Sequence, residues 1–171
     1  VRVIVGGAGA WGLSAAAELA RRGHRVTLVD RYGPGNSLSS SSGPTRLWRI
    51  ADPLPAAVRL GRRSVAAMDR LSREGSAELR VQQGMLWRDT EAALTELKVV
   101  LDTERVELTE VDADDVGRFL PILRPDHRPA LWLPEAGSLL SGALLATYQR
   151  ILAQHGAETM YGGEVASVDP D

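Results

Sequence analysis

The stretch Val1–Asp30, VRVIVGGAGAWGLSAAAELARRGHRVTLVD, decides how this chain is read. Arg2 to Val5 is a short apolar run rich in β-branched residues. It is the pattern of a strand in a parallel sheet buried on both faces. Gly7-Ala8-Gly9-Ala10-Trp11-Gly12 follows at once and fits G-x-G-x-x-G. Gly7 permits a tight turn out of the strand, Gly9 lets backbone approach a pyrophosphate, and Gly12 lets the next helix pack close to the sheet. In that helix Leu13, Ala16, Ala17 and Ala20 recur at i, i+3, i+4 and i+7, a single apolar face. Gly23 supplies the left-handed residue that ends it. Arg25 to Val29 is a second strand, and Asp30 closes it eighteen residues after Gly12. A carboxylate there can accept the ribose hydroxyls of an adenosine. The glycine pattern alone is weak. Between a strand and a helix, with the acid at this distance, it predicts dinucleotide binding. Asp30 disfavours a 2′-phosphate, and the neighbouring Arg31 offsets that slightly.

Composition sets the outer bounds. The chain has 171 residues, 44% hydrophobic and 25% charged, with a net charge of −2. Such a balance gives no sign of a nucleic-acid or anionic-membrane partner. Lys98 is the sole lysine among twenty basic residues, and there is no cysteine. Disulfides, thiolate catalysis and Cys-type zinc sites are excluded within these residues. His24, His127 and His155 have no metal-ligand spacing, so no metal site is expected. No apolar run approaches the roughly 20 residues that span a bilayer. A cytoplasmic protein is expected. The start on a strand and the strand-like end at Val165–Val168, running into a turn at Pro170-Asp171, suggest a piece of a longer protein.

Beyond Asp30 the chain changes character. Tyr32–Pro44 (YGPGNSLSSSSGP) reads as a loop, which could be a flexible linker. Thr45–Ile50 (TRLWRI) puts Arg46 and Arg49 three apart in an extended segment. They therefore face opposite sides and have different partners. Two arginines close behind a nucleotide-binding unit are placed to meet anions, or they form a structural pair that fixes the loop. Helices are predicted over Leu54–Leu71, Glu91–Leu101 and Ser141–His155, the last with Ser141 as N-cap. Strands are predicted at Leu79–Gln83, Met85–Arg88, Val106–Val111, Ala130–Pro134, Glu158–Tyr161 and Glu164–Val168, the last two forming a hairpin about Gly162-Gly163. Ala113–Leu120 reads as a short helix with an acidic start at Asp112, Asp114 and Asp115. The expected fold class is α/β: a Rossmann-like βαβ core with an inserted α+β region. The core comprises residues 1–50 and 141–171, and the insert 51–140.

Three pieces carry a family resemblance: VIVGGAGAWGLSAAAELARRGHRVTLVD, SSGPTRLWR and LPEAGSLLSGALLATYQRILAQHGAETMYGGEVASV. In order they cover nearly the whole chain. They resemble the N-terminal half of FAD-dependent oxidoreductases of the D-amino-acid oxidase/glycine oxidase type. The resemblance is to the branch of monomeric sarcosine oxidase, N-methyltryptophan oxidase and the piperideine-carboxylate oxidase of nikkomycin biosynthesis. It implies FAD as cofactor and assigns the inserted region to the substrate domain. It implies that Gly7, Gly9 and Gly12 hold the pyrophosphate, with Ala10 and Trp11 in the turn, Asp30 at the ribose and Arg31 among the cofactor-binding residues. Ser41, Ser42, Arg46 and Leu47 would lie toward the isoalloxazine, and Val165 at the adenine. Arg46 would be the arginine beside the flavin ring, and Arg49 the arginine that pairs with a substrate carboxylate. Ser41 and Ser42 stand where sarcosine oxidase has two histidines, which puts any proton role there in doubt.

The activity implied is oxidation of the C–N bond of an amino acid or secondary amine bearing a carboxylate. Hydride passes to flavin, and molecular oxygen is reduced to hydrogen peroxide. The family's second half, with most of the substrate cavity and the lysine linked to oxygen activation, is expected beyond Asp171. Lys98 does not replace that lysine, and this half alone is expected to be inactive. The alternatives are an NAD-dependent dehydrogenase and a catalytically incomplete nucleotide-binding fragment.

Overall fold

The β-branched run after Val1 forms β1 (Arg2–Gly6), and the glycine turn passes into α1 (Ala10–Arg21). The chain returns through Gly23, at φ +79°, into β2 (Arg25–Asp30). In this computed structural model, which describes residues 1–123 and 126–169, β1 and β2 are parallel, with Arg2 opposite Arg25 and Gly6 opposite Val29. Leu13, Ala16, Ala17 and Ala20 are all buried, as their spacing requires. The next elements are β3 (Thr45–Trp48), α2 (Pro55–Gly75), β4 (Arg80–Gln82), β5 (Met85–Arg88) and α3 (Glu91–Thr103). Then come β6 (Thr109–Val111), a 3-10 turn (Ala113–Asp115), α4 (Val116–Phe119), β7 (Ala130–Leu133), β8 (Gly137–Leu140), α5 (Ser141–Gln154) and β9 (Glu158–Tyr161).

The chain divides into two compact units. The first takes Val1–Arg46, Leu71–Leu79 and the chain from Leu140 onward. Its sheet has the order β1-β2-β9, all parallel, with Asp30 opposite Tyr161. Helix α5 packs on α1 and buries Leu144, Leu145, Ile151 and Leu152. The buried face of α1 is mostly alanine, and such small side chains let packed elements approach closely. Gly156, at φ +67°, ends α5 in the left-handed conformation and feeds β9.

The second unit takes Leu47–Arg70 and Arg80–Leu139. Strands β5, β7 and β6 make an antiparallel sheet with β7 in the centre. A further sheet has the order β3-β8-β4. Trp48, Ile50 and Val58 share a core with Leu94, Leu97, Leu101, Leu131 and Leu133. Thr90 caps α3 through its hydroxyl, which accepts from the Ala93 N–H at 3.3 Å. Pro55 opens α2 as the first helical residue, where its missing N–H costs nothing. Arg59 on α2 forks onto the buried Glu104 carboxylate at the end of α3, with nitrogen–oxygen distances of 2.6–3.2 Å.

Several sequence expectations are corrected. Residues 164–168 form no strand, and β9 pairs in parallel with β2 rather than in a hairpin. Val165 and Val168 are both exposed. The turn expected at Pro170-Asp171 lies outside the described residues. Ser141 is the first residue of α5 and not its cap; its hydroxyl donates to the Gly43 carbonyl at 3.1 Å. Only Thr109–Val111 of the expected Val106–Val111 strand pairs, and Val106 serves the core instead. Helix α2 runs four residues further than its apolar face, to Gly75. Strand β1 is not buried on both faces: Ile4 is 70% exposed.

Leu152 is fully buried in α5. Leu152→Ala should lower stability by about 2–5 kcal/mol in urea unfolding. A loss below about 0.5 kcal/mol would show that α5 is not part of the first unit's core.

Candidate dinucleotide and anion sites

The first unit builds its site from the β1–α1 turn. Gly7 sits at φ +102°, a conformation only glycine adopts freely, and its N–H donates to the Val29 carbonyl at 2.7 Å. A Cβ on Gly12 would lie 1.8 Å from the Gly7 carbonyl oxygen, so the helix meets the turn with no space for a side chain. Gly9 is less constrained: a Cβ there would meet the Ser41 hydroxyl at 3.3 Å. Ala10 donates its N–H to that hydroxyl at 3.0 Å, and Leu13 begins the helical bonding to the Gly9 carbonyl. Among the described residues the Trp11 and Gly12 N–H groups have no acceptor. Trp11 itself is 89% exposed. Free N–H groups at the positive end of a helix dipole, behind a turn stripped of side chains, suit a pyrophosphate.

Asp30 lies at the other end of this turn. Its Oδ2 accepts from the Ala8 N–H at 2.7 Å, and its Oδ1 accepts from Tyr32 at 2.8 Å and Gly33 at 2.6 Å. Desolvation pushes this carboxyl up, but the three backbone donors outweigh it and hold its pKa below the ordinary aspartate value. The group is therefore an anion at neutral pH. Oδ2 keeps acceptor capacity for a hydroxyl. Arg31 points elsewhere, pairing with Glu164.

The serine loop is ordered by Arg46. Its Nε and Nη2 donate to the Ser40 carbonyl at 2.9 and 2.7 Å, Nη2 also donates to the Ser42 carbonyl, and Nη1 donates to Thr45 at 2.7 Å. This guanidinium thus spends most of its donors on backbone. It holds the loop that carries Ser41 to the Ala10 N–H. Ser42 takes part through its backbone, its N–H donating to the Ser39 carbonyl at 3.0 Å. Val165 is half exposed, and its Cγ2 lies 3.6 Å from where a Gly6 Cβ would be.

The second unit holds Leu47 and Arg49. Leu47 is 63% exposed on β3. Arg49 donates from Nη1 to the Ala51 carbonyl at 2.6 Å, and its Nη2 is 3.4 Å from Asp52. Its guanidinium carbon lies 4.4 Å from the Trp87 ring centroid. The two arginines do have different partners, as their spacing requires. Lys98 is engaged with Glu110, and that hydrogen bond raises its pKa, so it is no neutral base.

The sequence reading missed Ser39, whose hydroxyl accepts from the Ser41 N–H at 3.1 Å, and Asn36, which bonds Gly33 and Leu38 inside the loop. It also missed Trp87 and Asp52 around Arg49. Only Asp52, three residues from Arg49, carried a local signal. Among the described residues no cluster of His, Asp or Glu is arranged to hold a metal, and no helix is long and apolar enough to cross a membrane.

A model of the FAD dependent oxidoreductase family matches residues 2–171. The chain belongs to this family. Monomeric sarcosine oxidase from Streptomyces avermitilis is 28% identical over 98% of this chain and 45% of its own length. The enzyme of that name from Bacillus sp. strain B-0618 is 26% identical, over 98% of this chain and 44% of its own. Among solved structures, NikD, an unusual amino acid oxidase essential for nikkomycin biosynthesis, superposes with a TM-score of 0.89 at 25% identity. That match covers 98% of this chain and 44% of NikD. The chain thus spans just under half the length of the relatives it matches. FAD is the family's cofactor, and the side-chain-free turn, the unpartnered helix N–H groups and the anionic Asp30 fit it.

The depressed pKa of Asp30 sets a pH dependence. Stability from its hydrogen bonds is present above the unfolded carboxyl pKa and is lost as pH falls through the lower folded value. The protein should therefore be more stable than its Asp30→Asn variant at pH 6–7, and the gap should close as the solution is acidified below about pH 4. A gap that persists unchanged at pH 3 in denaturant titrations would contradict this.

Proposed function

We propose that the chain is the cofactor-bearing half of an FAD-dependent oxidase acting on the C–N bond of a carboxylated amine or amino acid. The observation that carries this is the pairing of the side-chain-free turn at Gly7 and Gly12 with the backbone-bonded carboxylate of Asp30, in a chain of this family. Bound FAD would supply the hydride acceptor and pass the electrons to molecular oxygen, giving hydrogen peroxide and an imine that water hydrolyses.

The chain's own residues bind and orient. Gly7, Gly9 and Gly12 clear the path for the pyrophosphate, and the Trp11 and Gly12 N–H groups donate to it, with Ala10 held in the turn. Asp30 accepts from the adenosine ribose. Arg31, Ser41, Ser42, Leu47 and Val165 are assigned to the cofactor on the family resemblance. For Ser41, its contact with the Ala10 N–H favours the pyrophosphate end over the isoalloxazine. Arg46 fixes the loop and adds positive charge, which favours an anionic reduced cofactor. Arg49 offers its remaining donors to the substrate carboxylate, a charge-assisted and geometrically specific contact. Anchoring the carboxylate limits the orientations of the C–H bond that must be broken.

The purified enzyme should show flavin absorbance and take up no reduced NAD; a colourless protein that binds reduced NAD would overturn the proposal. Asp30→Ala should weaken FAD binding by about tenfold or more, the loss expected when hydrogen bonds to a charged acceptor go. An unchanged dissociation constant would remove Asp30 from the cofactor. Arg49→Ala should raise KM for a carboxylated amine by roughly a hundredfold, with a smaller effect on kcat. Unchanged kinetics would sink its assignment.

A further inference from the structure

Beside Arg49, the second unit carries a shallow, open pocket of about 310 Å³ lined by Leu47, Arg49, Met85, Leu86, Trp87 and Arg88. Four of these six are apolar, and none is acidic. Arg88 pairs with Asp126 and is mostly buried, with its Nε–H left unpartnered among the described residues. Arg49 is the more exposed of the two cations. Its Nη1 serves the Ala51 carbonyl and its Nη2 leans toward Asp52, while the Nε–H has no acceptor among the described residues. Asp52 is itself held by the Leu54 N–H at 3.0 Å, so it is a fixed neighbour and not a mobile competitor.

The Trp87 ring lies 4.4 Å from the guanidinium carbon, within cation–π range. That attraction acts on the charge and consumes no N–H donor. The result is an anion anchor on the rim of an apolar pocket. A carboxylate with a methylamine group is far smaller than this pocket, whose size is at the lower end of those that take whole small ligands.

We propose that this pocket receives an apolar side group, up to the size of an aromatic ring, on the carboxylated substrate held by Arg49. The enzyme is then selective for hydrophobic amino or imino acids over glycine-sized ones. This inference rests on the reading of Arg49 as the carboxylate anchor. Trp87 is a specificity determinant under it, with Leu47 and Met85 as walls. A basic side group would face Arg49 with no carboxylate among the lining residues to receive it.

Redox-inert carboxylates test the two claims separately, by isothermal titration calorimetry on the flavin-loaded enzyme. Acetate reports the anchor alone, and phenylacetate the anchor with an apolar group. Phenylacetate should bind about tenfold tighter or more, from burial of its ring. Trp87→Gln should bring the two ligands to within about twofold of each other. Leu47→Ser, at an exposed position where folding is not at stake, should shrink the ratio in the same direction. Arg49→Gln should weaken both ligands alike. A phenylacetate preference that survives both wall substitutions, or no preference in the unaltered enzyme, overturns the pocket assignment. Carboxylate binding that ignores Arg49→Gln, or no carboxylate binding at all, overturns the anchor and the pocket with it.

Discussion

One carboxylate ties the nucleotide end of this protein together. Asp30 sits at the end of β2, yet its three backbone donors come from both sides of the crossover: Ala8 in the turn after β1, and Tyr32 and Gly33 at the head of the serine loop. An acid with three N–H donors is a strong, short-range constraint, and two of those donors, Ala8 and Gly33, are partly withdrawn from the water that would otherwise satisfy them. The constraint fixes where the glycine turn stands relative to the loop. Gly12 then determines how closely α1 can approach, since nothing larger than hydrogen fits against the Gly7 carbonyl.

The loop is the second layer of the same construction. Tyr32–Pro44, with eleven of its thirteen residues Gly, Pro, Ser or Asn, has the composition of a linker. Arg46 ties it into an ordered segment by donating to the carbonyls of Ser40 and Ser42 within the loop and of Thr45 just after it. Asn36 and Ser39 close smaller turns inside it. The consequence is local and chemical: a serine hydroxyl is delivered to the first N–H of α1. Anion-binding capacity at that helix is thereby directed to Trp11 and Gly12.

Much of this was legible in the sequence, for identifiable reasons. The βαβ unit was legible because glycine positions, an alanine face and a terminal acid are each required by geometry at fixed spacing. Helices α3 and α5 were legible because Leu94, Leu97 and Leu101, and Leu144, Leu145, Ile151 and Leu152, repeat at helical period and are buried. The strand expected at 164–168 failed because β-branched residues state only a local preference, not whether a neighbouring strand pairs with them. Ser141 failed as a cap because a hydroxyl at a helix start has more than one use, and here the Gly43 carbonyl claims it. The contact of Trp87 with Arg49 joins residues far apart in the chain, and no local pattern announces it.

The units divide the chemical work. Under the proposed function the first would present N–H groups and one carboxylate to a dinucleotide. The second would present a cation beside an apolar pocket. Of these, the dinucleotide site is the foundation, because the proposed activity has no redox partner without it. A crystal structure of the flavin-loaded protein tests it most directly. The account predicts the FAD pyrophosphate within hydrogen-bonding distance of the Trp11 and Gly12 N–H groups, with the adenosine ribose on the Asp30 carboxylate. A pyrophosphate bound away from the β1–α1 turn, or a ribose that leaves Asp30 untouched, would contradict it.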